Sequence, residues 1–161
     1  MNKSILFLGL IFYSTLSFSQ NNHNKKNEEM SGKLIVALAI PYSFELNTVG
    51  VNGRLYYNVN HHICFGPEVS YFKKNEVSII DLNFVGHYIF EVEKLKIGIY
   101  PLVGINYTIE NEPLHQNKEV GLVFGAGLHK TFNKLFVFGE FSHVQSHLKD
   151  NFVTVGAMYL F

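Results

Sequence analysis

From Lys33 to Phe161 the chain alternates between apolar and polar or small residues with a period of two, in stretches of about ten residues separated by turn residues. Nothing else in the sequence restricts the fold as tightly. A period of two puts successive side chains on opposite faces of an extended strand. Stretches of about ten residues suit strands that cross a bilayer at a tilt. Eight such segments follow one another: Lys33 to Tyr42, Thr48 to Asn58, Ile63 to Phe72, Val77 to Phe90, Leu95 to Thr108, Val120 to Thr131, Leu135 to Val144 and Phe152 to Phe161. The expected fold is all-β, an eight-stranded antiparallel transmembrane β-barrel of up-and-down topology over residues 33–161.

Parity decides which face meets what. In the second segment Val49, Val51, Leu55 and Tyr57 share one face with Gly53, whereas Gly50, Asn52, Arg54, Tyr56 and Asn58 share the other. The fourth sets Ile80, Leu82, Phe84 and Tyr88 against Asp81, Asn83, Val85 and His87, and the fifth sets Ile97, Ile99, Val103 and Ile105 against Gly98, Tyr100, Gly104 and Asn106. A soluble barrel would turn the bulky face inward, but an eight-stranded interior is only just wide enough for side chains to fill. The mixed face is also too poor in charge to serve as a soluble exterior. With the bulky face toward lipid, small and polar residues pack the lumen, and closure leaves no backbone edge unsatisfied.

The connections Val59 to His62, Glu91 to Lys94 and Phe132 to Lys134 read as tight turns, and Ser43 to Asn47, Glu110 to Glu119 and Gln145 to Asn151 as longer loops. Lys73 to Glu76 is short where a longer loop is expected. In such barrels the short turns face the periplasm and the longer loops the exterior. An even strand number then puts both termini in the periplasm. On the lipid face, Tyr57, Tyr88, Phe90, Phe132, Tyr159 and Phe161 fall near one set of strand ends and Tyr42, Tyr71 and Tyr107 near the other, as two aromatic girdles.

The first residues obey a different pattern. Lys3, the apolar run Ile5 to Tyr13 and the small-x-small triplet Ser17-Phe18-Ser19 have the order of a cleaved secretory signal, residues 1–19. Residues 20–32 are polar and read as a flexible tail. With 13 basic and 13 acidic residues, the chain carries no electrostatic footprint for nucleic acid. Cys64 is the sole cysteine, so it forms no intrachain disulfide and reads as a small buried apolar side chain.

The last segment places Val153, Val155, Ala157, Tyr159 and the terminal Phe161 on one face. That ending resembles the terminal signal of outer-membrane barrels. With the leader and the stretch Gly125 to Val144 (GAGLHKTFNKLFVFGEFSHV), the chain resembles the small outer-membrane β-barrel proteins of Bacteroidetes-type bacteria. The resemblance implies a place in the outer membrane of a Gram-negative cell, among outer-membrane lipid and lipopolysaccharide. It also implies delivery by the barrel-assembly machinery through the strand ending in Phe161. It carries no activity, because such a family is defined by its barrel.

Chemistry, if present, sits on the lumen face, where Arg54, Glu68, Asp81 and Glu140 are joined by His87 and His129. Buried charges must pair, so Arg54 is expected among these carboxylates, with Glu68 a diagonal neighbour across the Val59 to His62 turn. The expected role is a structural plug, the alternative being a proton or ion path. Glu140-Phe141-Ser142-His143-Val144-Gln145-Ser146-His147 suggests a lipid-A-modifying hydrolase or acyltransferase, but its serines and histidines have spacings that point them apart. His61-His62, His115 and His147 lack metal-ligand spacing, so neither a metal nor a cofactor is expected. A further alternative is a ligand-binding or adhesive barrel acting through its outer loops. N-terminal sequencing of the membrane-fraction protein is expected to begin at or near Gln20; a chain still starting at Met1 would refute the export signal.

Overall fold

Alternating apolar and polar residues with β-branched and aromatic side chains favour extended backbone, and here the extended segments pair all the way round. The computed structural model describes residues 31–161. The export signal and the tail up to residue 30 lie outside the described residues. The strands are β1 (Leu34–Ser43), β2 (Thr48–Asn58), β3 (Ile63–Lys74), β4 (Val77–Tyr88), β5 (Phe90–Val92), β6 (Ile97–Asn111), β7 (Gln116–Phe132), β8 (Leu135–Gln145) and β9 (Asp150–Leu160). Each pairs antiparallel with its neighbour in the chain, apart from β4, whose partner across the turn is β6. The short β5 continues β4 against β6 in unbroken register, Phe90 opposite Ile99 after His87 opposite Leu102. These nine strands therefore make eight staves. β1 pairs with β2 on one side and β9 on the other, from Ile35 opposite Leu160 to Ser43 opposite Phe152, and this closes the barrel.

Three boundaries differ from the sequence expectation. The fourth segment is interrupted at Ile89, whose N–H bonds the His62 carbonyl at 2.7 Å, and then runs on to Val92. The turn that follows is a single 3-10 turn, Glu93–Leu95, closed by Lys96 in the left-handed region at φ 53°, which delays the next strand to Ile97. The expected loop Glu110 to Glu119 is mostly hairpin. Asn111 pairs with Gln116 and Glu110 with Asn117, leaving a turn of residues 112–115. Polar cross-strand bonds hold it, such as Gln116 Nε2 to Asn111 Oδ1 at 2.7 Å, and these are invisible to a search for apolar alternation. Likewise Asp150 and Asn151 join the last strand, so the 146–149 turn is no longer than the 59–62 turn at the other end. The contrast between short turns and longer loops is thereby lost.

The faces fall as parity requires. Leu38, Val103 and Val120 are 74%, 65% and 72% exposed, whereas their inward neighbours Ala37, Leu102 and Gly121 are buried. No helix among the described residues is long and apolar enough to cross a membrane; the apolar belt is carried by strands. Its terminal-end rim is aromatic, with Tyr88 against Phe90 and Tyr159 against Phe161, both at 4.9 Å between centroids. At the far rim Tyr71 is exposed and Tyr42 meets Phe44 at 5.2 Å.

Inside, the lumen holds more large side chains than a face of glycines and charges suggests. Phe72 and Phe152 stack at 5.3 Å near the far end, and Phe136, Met158 and Leu160 fill the terminal end. Glycines make the space: a Cβ at Gly127 would lie 2.5 Å from the Tyr100 ring opposite it, and one at Gly98 2.4 Å from the His129 ring. Val103, at mid-strand on the outer face, is the cleanest probe of the orientation. Val103→Arg is expected to lower stability in lipid by about 2 to 4 kcal/mol in denaturant titrations, and an unchanged midpoint would reverse the assigned faces.

Candidate functional site

The register stacks the lumen's polar residues in two adjacent rows. One runs Arg54–Glu68–Asn83–Asn106 across β2, β3, β4 and β6, and the next, toward the far end, runs Asn52–Ser70–Asp81–Thr108. Arg54 and Glu68 are thus direct cross-strand partners rather than diagonal ones. On the other side of β2 stand Ala37 and Ala39, and beyond them on β9 the Gly156 backbone. These small residues leave room for the guanidinium to cross the lumen. It meets Glu140 on β8 in a two-pronged pair, Nη1 to Oε2 at 2.9 Å and Nη2 to Oε1 at 3.1 Å.

Every polar edge of Arg54 is used. Nη1 also lies 3.3 Å from Glu68 Oε1, Nε donates to Asn52 Oδ1 at 2.6 Å, and the Phe138 ring lies 4.7 Å from Cζ. The carboxylates gain further donors: Tyr56 OH bonds Glu68 Oε1, Asn83 Nδ2 donates to Glu68 Oε2 at 3.4 Å, and Tyr100 OH to Glu140 Oε2 at 3.2 Å. Arg54, Glu68 and Glu140 are about 5% exposed, a depth at which unpaired charge is costly.

Asp81 departs from the expectation. Its carboxylate is not at Arg54; it accepts from Thr108 Oγ1 at 2.5 Å and Asn106 Nδ2 at 3.3 Å. The reason is register, since Asp81 sits one row farther along, facing Ser70 and Thr108. It connects to the Arg54 row through Asn106 and Asn83, joined at 2.8 Å. Tyr56, Tyr100, Asn83 and Asn106 share the parity of the charges in the sequence, which is the signal for their role, whereas Thr108, at the end of its expected segment, is assigned to the lumen by the structure. At the far mouth Ser43 Oγ bonds the Asp150 carboxylate, which also accepts the Glu45 N–H at 3.0 Å.

Toward the terminal end the polar layer passes into an aromatic and imidazole cluster. His87 packs between Tyr56 and Tyr100, with centroids at 4.9 and 5.1 Å, and its Nδ1 lies 3.4 Å from Cys64 Sγ. His129 stacks on Tyr100 at 5.9 Å, and His61 Nε2 meets Glu91 at 2.9 Å. Among the described residues no three His, Cys, Asp or Glu side chains form a metal-holding group. In β8, Ser142 is buried in the lumen, whereas His143 points outward, its ring tilted against Phe124 at 5.1 Å and bonded through Nδ1 to Asn151 at 2.9 Å. The serine and histidine diverge, as strand parity demands. His147 lies in the rim turn with its side chain 93% exposed.

The voids beside the charged layer are small, about 30 Å³ on the terminal side and about 20 Å³ on the far side. Each has room for a water or two. A wider hollow of about 530 Å³ opens at the terminal mouth. The arrangement is a packed plug, with one cation clasped between two walls.

No family model matches the sequence, and no curated protein matches it. Solved structures do match in shape. The N-terminal barrel domain of Pseudomonas aeruginosa OprF superposes with a TM-score of 0.71 at 12% identity, covering 81% of this chain and 98% of that one. A de novo designed transmembrane β-barrel gives 0.60 at 22% identity, over 81% and 97%. Ail, the attachment invasion locus protein of Yersinia pestis, gives 0.55 at 14%, over 82% and 100%. At such identities the likeness speaks for the fold alone, that of small outer-membrane barrels.

Removing the cation isolates its contribution. Arg54→Ala leaves Glu68 and Glu140 buried without their partner and is expected to cost roughly 3 to 5 kcal/mol at neutral pH. Neutralising the carboxyls relieves the repulsion, so the variant's deficit is expected to shrink at acidic pH. Equal denaturant midpoints for parent and variant at neutral pH would show that the clasp does not hold the barrel.

Proposed function

We propose that this chain is an exported protein of a Gram-negative outer membrane, a barrel with a structural or surface-interaction role and neither a transport nor an enzymatic one. The observation that carries the reading is the Arg54 guanidinium, which spans the lumen between Glu140 and Glu68 over the Phe138 ring. A conducting path would have to break this clasp and then pass the Phe72–Phe152 stack. The divergence of Ser142 and His143 argues against the lipid-A-modifying alternative, because a nucleophile needs its base within hydrogen-bond reach.

The outward apolar belt and its aromatic rims support placement among outer-membrane lipid and lipopolysaccharide. The leader pattern and the terminal alternation ending in Phe161 support export and insertion by the barrel-assembly machinery. In that placement the termini and the 59–62, 93–96 and 133–134 turns are periplasmic, and the far end is outside. The stretch Gly125 to Val144 supports kinship with Bacteroidetes-type small barrels.

In planar bilayers the purified protein is expected to show no steady open conductance, while running faster on gels before heating than after, as a closed barrel does. A stable, ion-selective current from heat-modifiable protein would replace the plug with a pore.

A further inference from the structure

The barrel's far rim is uneven. β7 pairs with β6 up to Gln116 opposite Asn111, but its pairing with β8 ends at Leu122 opposite Gln145. Gly121 is still flanked by Gln145 and Ser146, within 3 Å of where its Cβ would stand. From Gln116 to Val120, β7 therefore has a strand on one side only. The 146–149 turn reaches this stretch through the 3.5 Å contact of His147 Nδ1 with Glu119 Oε2, from an imidazole that is itself exposed. The 112–115 turn closes at the tip, where Leu114 is 88% exposed. An unpaired edge of this kind presents alternate N–H and C=O groups as a template for another strand.

We infer that the Gln116–Val120 edge of β7 takes an extended acidic peptide segment of another protein as an added strand. The inference rests on the surface-protein reading and gives it a site and a partner chemistry.

Geometry rules out a second copy of this chain as the occupant, and Ser31, the first described residue, lies at the opposite end of the barrel, where its Oγ bonds the Val59 carbonyl at 2.9 Å. Two copies inserted the same way round carry β7 in the same direction. A two-fold axis along the membrane normal would set each edge residue beside its own copy, donors facing donors. A parallel ladder instead needs an inward-pointing residue to face one that points away. A strand from another chain has no such restriction.

The side chains fix its chemistry. On the outer face Lys118 has Ile109 beside it on β6, so its charge is answered only from the open side. Val120, exposed two residues along on the same face, asks for an apolar neighbour. On the inner face Asn117 donates to Glu110 at 3.1 Å and Glu119 lies 3.5 Å from His147, whereas on the outer face, among Gln116, Lys118 and Val120, Lys118 is the one charged side chain and sets the selection there. The fitting strand carries a carboxylate beside Lys118 and an apolar residue two positions away.

The test uses the full mature chain in nanodiscs and a synthetic peptide of alternating Thr and Val with one central Glu, alongside its Lys counterpart. With the Glu peptide at about ten times its Kd, the edge-facing amides of residues 116–120 should exchange about tenfold more slowly. Lys118→Glu should reverse the preference toward the Lys peptide. Unchanged exchange at 116–120 in protein that keeps its heat-modifiable shift overturns the inference and leaves the barrel reading intact. So does protection that grows with protein concentration without peptide, which would mean self-pairing. Binding that ignores the Lys118→Glu reversal overturns the acidic specificity. A sample without the heat-modifiable shift sinks the barrel itself, and the edge with it.

Discussion

Closure of the sheet is the constraint from which the other features follow. In a bilayer core every backbone N–H and C=O must find a protein partner, and a sheet achieves this only by bonding its first strand to its last. Here the β1–β9 ladder does so over the whole of β1 from Ile35. Once eight staves close, the interior is narrow, and everything inside is decided by what fits across it. Some of the largest side chains enter where glycines stand opposite them, as Tyr100 over Gly127 and His129 over Gly98.

The same narrowness makes a buried arginine workable. In a wide pore a guanidinium would be solvated; in this lumen its nearest neighbours are the opposite wall. Ala37, Ala39 and Gly156 give it passage, and Glu140 receives it with both oxygens. A single cation shared by two carboxylates leaves local negative charge, and Tyr56, Tyr100 and Asn83 offset it with donors. Such a network is costly when half satisfied and rigid when complete. It ties β2 and β3 to β8 across the barrel, a link that backbone pairing alone does not provide. Asp81, one row away, manages without a cation because Thr108 and Asn106 converge on it.

Much of this was legible in the chain. Alternation located the staves, and parity assigned Arg54, Glu68, Asp81 and Glu140 to the inside and Val103 to the outside, where they lie. Boundaries were misjudged where polar residues continue a strand. Glu110 to Glu119 is the clear case: its ladder is held by amide and carboxylate side chains, and the apolar pattern goes silent there. The break at Ile89 and the left-handed Lys96 were likewise hidden, since neither position carries a glycine or proline to announce it.

The sequence by itself determined which way each side chain points, because a strand's two faces are fixed by counting residues. Only the tertiary structure decided which inward residues meet. Arg54 and Glu140 are 86 residues apart, and their meeting depends on the register of every ladder between them and on the closure at β1 and β9. A register step moves a residue along the barrel axis without changing its face. Alternation therefore says nothing about the height at which Asp81 misses the guanidinium and Glu140 finds it, nor about how far β7 rises past the end of β8.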